Sequence, residues 1–97
     1  MSRFEGPIQA DLYAEVAVSL GQQSRRLRIA LDRLQQHNAS GSGDASLRMR
    51  LMEEAAERLW SYVVQRELLG LTDAEYIREA YRVPRDVWFK MGPRLHR

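Results

Sequence analysis

At 97 residues, with 44% apolar and 29% charged side chains, the chain is sized for one domain, 1–97, around a modest core, and its composition excludes wholesale disorder. It has no cysteine, which excludes disulfides, thiolate metal ligands and a thiol nucleophile. The net charge is only +2, with 13 acidic residues interleaved among 15 basic ones, so the surface reads as ion-paired faces rather than one nucleic-acid patch.

Met1 to Pro7 hold no apolar run of the signal-peptide kind, and nowhere do 18 apolar residues follow one another. A cytoplasmic protein without a membrane span is therefore expected. With Gly6 as cap and Pro7 at the first helical position, a helix is expected over 7–37. Ile8, Leu12, Tyr13, Val16, Leu20, Leu27, Ala30, Leu31 and Leu34 fall on one stripe roughly 140° wide. Part of that stripe also keeps the 4–3 spacing of a coiled-coil seam. Such a helix would be roughly 45 Å long, far beyond the reach of a compact chain whose radius of gyration would be about 13 Å. Pairing with a second copy would cover the excess, with Leu20, Gln23, Leu27, Leu31 and Leu34 as the interface and Gln23 as the polar residue that sets register. A bend at Gly21 is the competing solution.

Residues 38–44, rich in Gly and Ser, read as a flexible linker. Asp44 or Ser46 can then cap a second helix over 45–69. Leu51, Met52, Ala55, Ala56, Leu59, Trp60, Tyr62, Val63 and Val64 cover an arc of about 220°, so this helix must be covered on two sides and is the central one. Arg50, Glu54 and Arg58 follow at steps of four, the spacing of an ion-pair ladder. Arg66 falls inside the apolar arc and requires a partner: the helix-end carbonyls, Asp73 or Asp86, or else an anionic ligand held with Tyr62 and Trp88.

The next helix follows almost without a connector. Gly70 suits a left-handed stop, Thr72 and Glu75 have capping-box spacing, and Leu71 and Tyr76 are placed for a hydrophobic staple. A third helix is expected over 73–81, and a fourth over 84–91, restarted by Val83-Pro84 and ended by Gly92-Pro93. Trp88 and Phe89 are adjacent and cannot both enter one core.

Reactive constellations are scarce. Glu53, Glu54 and Glu57 are close together, but neither His37 nor His96 stands in the relation to a glutamate that a carboxylate-bridged metal pair needs, so no metal or cofactor is expected. Ser24 and Ser61 have no evident base and there is no phosphate-binding Gly-rich loop, so the chain does not read as an enzyme. Thr72 to Met91 loosely resembles a helix-turn-helix with Arg82, Arg85 and Lys90 near the recognition helix. Glu75, Glu79 and Asp86 oppose phosphate approach there, which makes nucleic acid the weaker alternative.

The stretches EEAAERLWSYVVQRELLGLTD, Glu53 to Asp73, and YRVPRDVWFKMG, Tyr81 to Gly92, carry a resemblance to a family of small helical alphaproteobacterial proteins of unknown function. The resemblance covers about the last half of the chain and implies a bacterial, all-helical protein without lending an activity. The expectation is an all-α fold: a long antiparallel hairpin plus two short C-terminal helices, paired as a homodimeric bundle. Its expected role is a non-enzymatic interaction or assembly module that contacts a second copy or a protein partner. A DNA-binding regulator and a small-ligand binder built on Arg66 are the alternatives.

Overall fold

The computed structural model describes residues 7–71 and 73–95. They form four helices, α1 (Pro7–Ala39), α2 (Ala45–Leu68), α3 (Ala74–Ala80) and α4 (Arg85–Leu95). The arrangement is all-α, with a long helical pair and two short helices. α1 and α2 pack along each other as a hairpin, and α4 lies against another side of α2. The core joins Leu27, Ala30, Leu31 and Leu34 of α1 to Met52, Ala55, Ala56, Leu59, Tyr62 and Val63 of α2, and is closed by Ile77, Val83, Val87 and Met91. Its alanines bring the helices close, and its leucines fill the remaining volume.

The hairpin tip is a hydrogen-bonded turn, where composition alone suggested a loose linker. Ser40 N–H donates to Gln36 O at 3.0 Å and its hydroxyl to His37 O at 2.6 Å. Ser42 N–H then donates to Ser40 Oγ and Asp44 N–H to Ser42 Oγ, each at 3.2 Å. Serine hydroxyls thus replace helical acceptors two residues at a time. Asp44 caps α2, its carboxylate accepting from Leu47 N–H at 2.9 Å. Arg48 anchors the tip, donating to Asn38 Oδ1 at 3.1 Å and to Asp86 Oδ2 at 2.8 Å.

The ends of α2 and α3 repeat one device. Gly70 (φ +82°) ends α2: its N–H bonds Glu67 O at 2.9 Å, and Leu71 N–H bonds Arg66 O at 2.8 Å. Arg82 (φ +50°) ends α3 in the same way, with its N–H on Glu79 O at 3.2 Å and Val83 N–H on Arg78 O at 3.0 Å. The second stop uses a residue with a Cβ where glycine is the usual choice, and the buried Val83 holds it.

Several details differ from expectation. The cap position of α3 is Asp73, which makes no side-chain capping bond. Thr72 lies outside the described residues. The capping box expected between Thr72 and Glu75 therefore lies outside them too, and Glu75 stands 3.8 Å from Arg78. Leu71 and Tyr76 are both exposed. The ladder on α2 does not form, because Glu54 sits 3.9 Å from Arg33 across the hairpin. α4 continues through Gly92 and Pro93, since Gly92 keeps a right-handed φ and the buried Met91 holds that turn on α2. α1 is unbroken through Gly21 and measures about 50 Å. The described chain extends 59 × 24 × 20 Å with a radius of gyration of 16.2 Å.

Candidate functional site

A chain of polar groups crosses the middle of the molecule. The Ser24 hydroxyl of α1 shares a short hydrogen bond with the Tyr81 hydroxyl at the end of α3. Tyr81 O–H donates to Tyr62 Oη of α2 at 3.4 Å, and Arg66 Nη1 donates to the same oxygen at 3.4 Å. Arg66 then grips Asp73 with both arms of its fork, Nε to Oδ1 at 3.1 Å and Nη2 to Oδ2 at 2.5 Å. The two tyrosine rings meet edge to face, with centroids 5.7 Å apart and planes at 64°. Guanidinium groups cover both rings, Arg66 over Tyr62 at 5.6 Å and Arg28 over Tyr81 at 4.7 Å.

The electrostatics follow from these contacts. The bidentate bond to Arg66 holds the Asp73 carboxyl below its ordinary value, and the same bond pushes Arg66 above its own. Burial raises the Tyr81 hydroxyl, which therefore stays protonated. The chain is charge-neutral and pinned at both ends. It locks α1, α2 and both ends of α3 together and offers no activated nucleophile or base.

Of the residues singled out in the sequence, Arg66 and Tyr62 are brought together, and Asp73 is the partner Arg66 required. Asp86 is taken by Arg48. Trp88 lies elsewhere, half-buried beneath the Arg78 guanidinium at 5.4 Å, while its neighbour Phe89 is exposed. The basic residues near the suspected recognition helix do not converge. Arg82 forms the left-handed stop, Arg85 lies over Phe89 at 5.3 Å, and Lys90 sits 3.5 Å from Glu53. Sequence reasoning missed the pairing of Ser24 and Arg28 with Tyr81. Nothing local signals a bond that spans 57 residues. Among the described residues no group of three His, Cys, Asp or Glu side chains is placed to hold a metal. No helix there is long and apolar enough to cross a membrane.

Beside Tyr81 an open cleft of about 490 Å³ runs between α1 (Arg28, Leu31, Asp32, Gln35, Asn38) and the α3–α4 turn (Ala80, Tyr81, Arg82, Pro84). Its walls carry charges of both signs and no reactive pair.

The second candidate surface is apolar. Leu27, Leu31 and Leu34, expected at an interface between copies, are buried in the chain's own core against α2 and are closed to a partner. The stripe continues uncovered toward the N-terminus, because α2 has 24 residues and α1 has 33, leaving an overhang of about 14 Å. On that overhang Leu12 is 55% exposed, while Val16 and Leu20, which lie nearer the body of the hairpin, are partly covered. Where α2 stops, Leu68 (77% exposed), Leu69, Leu71 and Tyr76 form an apolar corner.

A model of a family of unknown function (DUF6665) matches residues 5–94. No curated protein and no solved structure matches the chain.

Proposed function

The chain belongs to that family of unknown function, and from this premise we propose that it is a non-enzymatic assembly module that pairs with a second copy through the overhang of α1. One observation carries the reading: the apolar stripe that α2 covers from Leu27 to Leu34 runs on through Leu20 and Val16, each only partly covered, to the exposed Leu12. These three residues are spaced by four, so an antiparallel copy with Val16 on the two-fold axis sets Leu12 of each chain against Leu20 of the other. A bacterial, cytoplasmic setting belongs to the same proposal. It is supported by the resemblance of Glu53–Asp73 and Tyr81–Gly92 to alphaproteobacterial proteins and by the absence of cysteine.

The test is the molar mass in solution. Light scattering after size exclusion gives twice 11.3 kDa for the native chain. Leu12→Asp halves that mass and leaves the helical circular dichroism in place, since Leu12 lies outside the core. A native chain that runs as a monomer at about 100 μM, where a micromolar dimer is saturated, removes the proposal. The nucleic-acid reading gains nothing from Arg85 and Lys90, which are engaged by Phe89 and Glu53.

A further inference from the structure

A small cavity of about 190 Å³ opens midway along the hairpin, and all four of its lining residues are polar: Gln23 and Arg26 of α1, Arg58 and Ser61 of α2. They stand three apart on each helix, so one turn of α1 faces one turn of α2. Two guanidinium groups share this space, and among the described residues neither lies within ion-pair distance of a carboxylate. Glu54 stands four residues before Arg58 and could serve it, yet pairs with Arg33. The buried Oε1 of Gln23 has no hydrogen-bond partner. Two exposed arginines without a carboxylate partner thus flank a polar cavity beside an orphaned amide oxygen, and an anion placed between them would be attracted by both.

We propose that this cradle binds a tetrahedral oxyanion, phosphate or sulfate, as a free ion or as the head of a monoester. Each arginine fork presents parallel N–H donors suited to two oxygens of such a group, and Ser61 adds a hydroxyl donor. The cavity, about 190 Å³, has room for such an anion. The bound anion would bridge α1 and α2 and stabilise the hairpin by mass action. This site is separate from the apolar seam and does not depend on the dimer.

The experiment is a thermal-unfolding titration of the full chain with sodium phosphate, sodium sulfate and sodium chloride at matched ionic strength. The expected result is a saturable rise in Tm with phosphate and sulfate that chloride does not reproduce. Arg26→Gln and Arg58→Gln should each weaken the phosphate response about tenfold or more, while Arg50→Gln, on α2 outside the cavity, keeps it. In chloride alone the two cradle variants should unfold no earlier than the native chain, because removing one of two like charges relieves repulsion. A glycerol 3-phosphate arm identifies the source: tighter binding than phosphate marks a monoester head, and weaker binding marks the free ion. Equal responses to phosphate and chloride, or cradle variants that titrate like the native chain, would overturn the site. So would a cradle variant that is destabilised in chloride, since its arginine would then have an internal partner.

Discussion

Arg66 and Asp73 lie seven residues apart on either side of a helix end, and their bidentate contact leaves the two side chains 17% and 33% exposed. The Asp73 carboxyl is held below its ordinary value by Arg66, so its ionised form favours the fold. That contribution is fully present above the unfolded value of about 3.9 and is lost as pH falls through the lower folded one. Asp73→Asn should therefore be less stable than the native chain in urea at pH 7, with the gap narrowing as pH falls below the ordinary carboxylate range. A gap that stays constant across that range would show that the carboxylate acts through shape and not charge. Arg82 makes a second prediction. Its left-handed φ carries a Cβ cost of about 1 kcal/mol, so Arg82→Gly should raise stability by roughly 0.5–1 kcal/mol. A loss would mean that the Arg82 side chain makes a compensating contact beside the cleft. The need of Arg66 for an acidic partner was legible in the sequence, because a charge inside an apolar arc cannot stand alone. The left-handed Arg82 was not, since Val83-Pro84 drew the expected break one residue later.

Among the elements, α1 shows what periodicity can and cannot say. The stripe from Leu12 to Leu34 correctly marks the face that is apolar, but apolar spacing is blind to what covers it. Leu27, Leu31 and Leu34 went to the chain's own α2, because a five-residue hydrogen-bonded turn brings α2 back at once, and an intrachain partner has no association entropy to overcome. The expectation that α2 is central was likewise legible from its wide arc, and it packs on both α1 and α4. The helix runs on through Gly21, and a Cβ there would meet only the end of the Arg25 side chain at 3.6 Å. Gly21→Ala should thus add about 1 kcal/mol of stability, read from the shift in urea midpoint at unchanged slope. A destabilising result would show that α1 needs a hinge at that point.

Taken whole, the chain is an elongated rod, 59 Å by about a third of that, with its polar lock in the middle and its apolar excess at one end. The lock of Ser24, Tyr81, Tyr62, Arg66 and Asp73 fixes the direction in which the overhang leaves the body. A rigid ledge loses less entropy on pairing than a frayed one, which favours association. Because the chain contains no cysteine, one introduced thiol reports position without interference. Val16 is the residue placed on the two-fold axis, and the measurement is the yield of disulfide-linked dimer from Val16→Cys under mild oxidation, compared with Ser40→Cys at the hairpin tip. The pairing through α1 predicts rapid, near-complete cross-linking at position 16 and little at position 40. Equal slow yields at both positions, or none at position 16, would contradict it.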